Sequence, residues 1–256
     1  MKDQYFGDVN DFRKYALLRS LVMPDHLRLG VCWMLTDGDR RKNGSRLAYL
    51  SKQATYRTCD AALFDWLKQV IDVEQDRRTA RIEESDLLGA TCFQSNILTD
   101  DESERRTYFS ECSTRLADCD LVFFDPDNGL EVKSIPRGRK NSHKYLYWGE
   151  VCSAFSAGSS VVIYQHFIRE KRASFITRLA AELNARTHAA AVFSFATPHV
   201  LFLLASQEHH TVIFRRRLAA IQSSWAPARI MAAEHLHSTE KGNMIAPLLQ
   251  APEQTT

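Results

Sequence analysis

The residues best suited to chemistry in this 256-residue chain fall into three short clusters. The first is Asp125-Pro126-Asp127-Asn128-Gly129-Leu130-Glu131, directly after the apolar run Leu121-Val122-Phe123-Phe124. In open α/β sheets ligands bind beyond the carboxyl ends of the strands, so a carboxylate there stands where an acceptor or a metal would come. Pro126 offers no ladder N–H, which ends strand pairing, and Gly129 can take a positive φ to turn the chain. Asp, Pro, Asn and Gly are also the commonest turn formers, but this turn packs three acids and an amide into seven residues. The second cluster is Gln165-His166, closing the run Ser160 to Gln165, where His166 can serve as acid, base or ligand. The third is Gly7-Asp8-Val9-Asn10-Asp11-Phe12-Arg13-Lys14, unusually polar for the opening of a helix. Neighbouring parallel strands lie about 5 Å apart, so strand-end side chains can share one cleft. Asp125 is expected to face an open crevice at the sheet's rim, near the amino-terminal helix.

Two chemistries fit the first cluster. Pro126-Asp127 followed by Glu131-Val132-Lys133 has the outline of the PD…ExK nuclease signature, whose acids bind a divalent metal that polarises a phosphate and activates water. Asp125, Asp127 and Glu131 would then hold the metal, with His166 as base. Only three residues separate Asp127 from Glu131, whereas that signature spreads its acids over two strands of a hairpin. The second comparison sets Asp125-Pro126-Asp127-Asn128 beside the D/N-P-P-Y/F motif of adenine-N6 methyltransferases. There the strand-end acid or amide and the proline carbonyl grip an exocyclic amine and align its lone pair with a methyl donor, which is catalysis by positioning. Asn128 stands where that motif carries an aromatic that stacks on an extruded base.

The elements that must position these residues follow from periodicity and punctuation. A helix begins near Val9, capped by Asp8 and carrying Asp11 in its first turn, with Leu17, Leu18, Leu21 and Val22 as its stripe and Pro24 as its stop. Leu29 to Leu35 reads as a strand, followed by a polar loop from Thr36 to Ser45. Asp60 opens a helix with Leu63, Leu67, Val70 and Ile71 on one face. Leu87 to Leu98 reads as a strand with an irregular exit, and Glu102 to Ala117 as a helix leading into Leu121–Phe124. Tyr147, Val151 and Phe155 mark a helix closed by Gly158. Ser160 to Gln165 is a buried-type strand, and Ile176, Leu179 and Leu183 mark a long helix. Ala191–Ala196, Val200–Ala205 and Thr211–Phe214 are strand-like runs joined by loops too short for crossover helices. The expected fold is therefore α/β: a doubly wound, mostly parallel Rossmann-like sheet with a C-terminal antiparallel hairpin. Residues 1–235 are expected to form one domain and 236–256 a loosely ordered tail.

Composition narrows the partners less. Hydrophobic content of 45% and charged content of 25% are ordinary for a globular protein, and the formal charge of +2 points neither to nucleic acid nor to membrane. Basic residues do cluster at Arg137-Gly138-Arg139-Lys140, at Arg169 with Lys171-Arg172, and at Arg215-Arg216-Arg217. The six cysteines are scattered, with no CxxC pair, no zinc spacing and no disulfide framework. The polar start Met1-Lys2-Asp3-Gln4 does not read as a secretory signal, and no apolar run reaches membrane-spanning length. A reducing cytoplasm is the expected location, with no membrane partner.

The opening segment Gly7 to Leu18 resembles the first helix of the ribosomal-RNA large-subunit adenine-N6 methyltransferase family, where a G-N-x-A-D-x-x-K-H segment precedes the first strand. Lys14 matches the family lysine, and Tyr15 stands in place of its histidine. The three-Cys-motif partner proteins have a related helix. Together with the strand-end Asp125-Pro126 and the terminal hairpin, this is similar to the class I S-adenosylmethionine-dependent methyltransferase superfamily. The resemblance spans about residues 5 to 215 in topology and two short motifs in sequence. It implies S-adenosylmethionine as cofactor, bordered by Lys14, Tyr15, Asp37, Gly38 and Asp125. Asp125, Asp127, Asn128 and His166 would serve catalysis, and the substrate would be nucleic acid or a nucleotide. Where that fold has a glycine-rich turn after its first strand, this chain has Trp33-Met34-Leu35-Thr36-Asp37-Gly38-Asp39, with a single glycine. Glu83 and Glu84 are the candidates for its acidic ribose ligand. A non-catalytic binding module on the same scaffold is a third class that fits these residues.

Overall fold

A computed structural model describes residues 2–36, 46–225 and 230–235. Its centre is a seven-stranded sheet in the order β2-β1-β3-β6-β8-β7-β9. The strands are β1 (Leu29–Cys32), β2 (Ala90–Gln94), β3 (Leu121–Phe124), β6 (Ser160–His166), β7 (Ala191–Ala196), β8 (Val200–Ser206) and β9 (Met231–His235). A separate parallel pair, β4 (Gly129–Leu130) and β5 (Tyr145–Leu146), lies in the excursion between β3 and β6. The helices are α1 (Val9–Val22), α2 (Gln53–Tyr56), α3 (Ala61–Lys68), α4 (Ala80–Glu83), α5 (Glu102–Arg115), α6 (Trp148–Ser156), α7 (Arg172–Thr187) and α8 (Thr211–Ser224).

β2, β1, β3 and β6 run parallel. β8 is antiparallel to both β6 and β7, so the hairpin folds back and inserts its second strand between β6 and β7. This is the expected α/β, Rossmann-like architecture. Strand residues alternate between two cores, as a sheet covered on both faces requires. Val31, Trp33, Leu121, Phe123, Val162 and Phe193 pack with α1, α3 and α8. Cys32, Val122, Phe124, Val161 and Ile163 pack with α5, α6 and α7. Each fully buried Leu or Phe removes enough apolar surface from water to contribute about 2 kcal/mol.

Three local expectations are corrected. The run Thr211–Phe214 is the first turn of α8, not a strand. Thr211 and Phe214 are buried and Val212 is exposed, which is a helical face, and Leu218 and Ile221 continue it. The β-branched Thr-Val-Ile composition favours a strand, but packing of that stripe against the sheet decides the outcome. The edge strand is instead β9, paired antiparallel with β7. Finally, β1 ends at Cys32 rather than Leu35, because Met34 takes a left-handed conformation (φ +48°) and breaks the ladder. Leu35 then returns as an isolated bridge to Ile97. Among the described residues no helix is long and apolar enough to cross a membrane. Asp37, Gly38 and the tail 236–256 lie outside the described residues.

Candidate functional site at the carboxyl ends of the central strands

The chain runs from β1 outward to β2, then crosses back to β3 on the other side of β1. That reversal makes the carboxyl ends of β1 and β3 the topological switch point, where open α/β sheets bind ligands. Asp125 follows β3 directly, and its backbone N–H continues the ladder by donating to the Cys32 carbonyl at 3.0 Å.

Helix α1 closes over this point. Asp8 is its N-cap: the carboxylate accepts the Asn10 and Asp11 backbone N–H groups at 2.7 and 3.1 Å. One turn in, Asp11 accepts from the Gly7 backbone at 3.1 Å, the Tyr15 hydroxyl at 3.2 Å and the Lys14 ammonium at 2.8 Å. Lys14 then reaches across to Asp125, 2.7 Å away. Its ammonium lies 5.7, 5.7 and 5.2 Å from the ring centres of Tyr15, Trp33 and Tyr164, within cation–π range. Burial works against that charge, but Asp11 and Asp125 outweigh it and hold the Lys14 pKa above the ordinary lysine range. Burial also lifts Asp125 above the ordinary carboxylate range, with Lys14 opposing. It raises Asp8 to about 6, helped by the neighbouring Asp11 charge. Asp125 is only 2% exposed, so it is shut behind α1 rather than facing an open crevice.

The turn after Asp125 is held by Gln165, which sits on the adjacent strand. Its amide oxygen accepts the Leu130 N–H at 2.7 Å, and its amide nitrogen donates to the His166 and Asn128 carbonyls at 2.7 and 3.4 Å. Gly129 has φ +107°, and a Cβ there would lie 2.4 Å from the Gln165 amide oxygen, so only glycine permits this approach. Asp127 and Asn128 are half-buried. Asp127 accepts the Thr36 hydroxyl at 3.1 Å, and although burial opposes it, nearby cationic charge, Lys2 included, keeps its pKa below the ordinary range. His166 is half-buried, edge-on to Tyr164, and burial lowers its pKa against the pull of Asp127, so the neutral ring prevails at pH 7.

Lys14, Tyr15, Asp125, Asp127, Asn128 and His166 thus gather at the ends of β3 and β6 beside α1, with Tyr15 fully buried beneath Lys14. Glu131 does not join them. Its carboxylate accepts the Trp148 N–H at 2.9 Å, at the first residue of α6. Among the described residues no three His, Cys, Asp or Glu side chains are grouped to hold a metal ion. Glu83 accepts the Trp33 indole N–H at 2.7 Å and so borders the end of β1, whereas Glu84 pairs with Arg81 on the surface. A groove of about 540 Å³ between α5 and α6, floored by Val122 and Phe124, lies on the far side of the sheet from α1.

Two further features stand near the site, and of their residues Arg13, within the polar opening segment, and Arg172, within a basic cluster, stand out in the sequence. Gln94, the last residue of β2, is 0% exposed, and neither polar atom of its amide has a hydrogen-bond partner. Buried polar groups are nearly always satisfied, so an orphaned amide at the end of β2, one strand from the switch point, is an exception to that rule. A polar residue closing the run Thr-Cys-Phe is the signal that could have found it. The second feature is a cationic cluster: the charges of exposed Arg46 and Arg172 and of buried Arg13 act on His199, whose pKa burial already lowers. Arg172 also donates to the Pro198 carbonyl at 2.6 Å, fixing the β7–β8 turn beside the β6 exit. No protein-family model and no curated protein matches the chain.

Proposed function

We propose that this chain binds S-adenosylmethionine at the carboxyl ends of β1 and β2 and methylates an amine of nucleic acid or a nucleotide. The observation that carries the reading is the Lys14–Asp125 pair at the switch point, which joins the family-like opening helix to the strand-end acid. The orphaned Gln94 amide fits the same reading, since a polar cofactor group satisfies what the protein leaves unpaired. Lys14 and Tyr15 border the donor, with Asp37 and Gly38 completing that border by resemblance. When bound, the cofactor supplies an electrophilic methyl group.

The rest falls to this chain's own side chains. Because Asp125 is shut away, its part is electrostatic: it fixes Lys14 and sets the field at the end of β3. Asp127 and Asn128, half-buried on the turn behind it, present the oxygens that accept hydrogen bonds from an acceptor amine and orient its lone pair. Neutral His166 takes the proton that the amine releases. Arg46 and Arg172, which are exposed, meet the phosphates.

The test is transfer of an isotope-labelled methyl group to single-stranded nucleic acid and to mononucleotides. Labelling of either one, reduced at least 100-fold in Asp127→Asn, agrees with the reading. Labelling that survives Asp127→Asn unchanged removes the assigned role.

A further inference from the structure

The six cysteines form no sequence motif, yet the fold gathers four of them between the sheet and α5: Cys32, Cys92, Cys112 and Cys119. Two form a pair, with the Cys92 and Cys119 sulfurs 3.7 Å apart. Gly30 makes the room. It is the register partner of Cys92, and a Cβ on it would come 2.8 Å from the Cys119 sulfur. Cys92 is half-buried on β2, at the edge of the sheet, while Cys119 is buried where α5 hands over to β3. Cys32 and Cys112 are buried against Tyr108, whose hydroxyl lies 3.3 Å from the Cys32 sulfur, so Cys92 is the most exposed of the four.

We propose that Cys92 and Cys119 form a reversible dithiol–disulfide couple that exchanges with small-molecule disulfides. One thiol is reachable from solvent and the other lies directly behind it, the arrangement of an attacking and a resolving cysteine. Cys92 is the first to react because it is part-exposed while Cys119 lies buried behind it, and burial and the adjacent Cys92 push the Cys119 thiol up to about 12. The Cys92 thiolate attacks one sulfur of a disulfide such as oxidised glutathione; that S–S bond breaks and one glutathione leaves as thiolate. Cys119 gives up its proton, attacks the Cys92 sulfur and expels the second glutathione. Two protein thiols are oxidised, and one glutathione disulfide is reduced to two thiols. A disulfide bond is about 2.05 Å long, so the sulfurs approach by roughly 1.7 Å through side-chain rotation. The bond ties edge strand β2 to the entry of β3 across β1, spanning a sequence separation of 27 that contains α5.

The experiment exposes the folded full chain to oxidised glutathione, alkylates free thiols, and maps the peptides without reduction. The expected result is an internal Cys92–Cys119 link and two glutathiones released per chain. The link should reverse with dithiothreitol and raise the thermal midpoint by about 5 to 10 °C. Cys119→Ser should stall as a stable glutathione adduct on Cys92. A persistent adduct on Cys92 in the unmodified chain, bonds formed through Cys59 or Cys152, or no loss of thiols would each overturn the proposal. The mapping of the unmodified chain decides it even if Cys119→Ser fails to fold.

Discussion

Lys14 and Asp125 stand 111 residues apart in sequence and 2.7 Å apart in space, both almost fully buried. This single contact fixes the first helix to the end of the central strand. Removing one partner of such a pair strands a buried charge, which costs about 3 to 5 kcal/mol, whereas removing both costs less. Lys14→Met should therefore lose about that much in denaturant unfolding, and Lys14→Met with Asp125→Asn should recover part of it. A double-variant loss equal to the sum of the Lys14→Met and Asp125→Asn losses would show that the charges are not coupled.

Asp8 gives a pH signature. Its folded pKa is raised from 3.8 to about 6, so the folded chain holds the proton more tightly than the unfolded one. For a raised carboxylate the favourable contribution is full below pH 3.8 and is lost as pH rises through 6. At about 1.4 kcal/mol per unit, the loss is at most about 3 kcal/mol. Asn caps a helix as well as Asp. Asp8→Asn should match the parent chain near pH 4 and exceed its stability at pH 7, in denaturant titrations at each pH. A difference that stays constant across that range would place Asp8 outside the titration.

The Gly129 turn offers a steric test. Gly129→Ala forces a left-handed alanine, at about 1 to 2 kcal/mol, and displaces the Gln165 amide, at roughly another 1 kcal/mol. A total loss of about 2 to 3 kcal/mol is expected, with a smaller penalty when Gln165→Ala is already present. Full additivity of the two changes would contradict the contact.

Much of this fold is legible in the sequence because its signals are local. The caps Asp8 and Asp60, the apolar run Leu121–Phe124 and the breakers Pro126 and Gly129 each act within a few residues. Thr211–Phe214 misleads because β-branched composition and helical spacing compete in four residues, and only the sheet beneath α8 decides between them. The site is legible in part: strand-end position points to Asp125 and His166. That Asp125 is buried against Lys14 depends on how α1 folds over the sheet, which no local pattern records. Gln94 is silent for the same reason, since an amide becomes an orphan only once its surroundings are packed. Glu131 has the residue type of a metal ligand but not the spacing of the nuclease signature, and the chain turns it onto the start of α6.

The most direct test of the central claim, that the carboxyl ends of β1 and β2 receive a methyl-donor nucleoside, is calorimetric titration of the folded chain with S-adenosylmethionine and with its demethylated product. A saturable heat for either compound, weakened at least tenfold in Gln94→Leu while that variant stays folded, is the expected result. No heat at millimolar ligand would contradict the account.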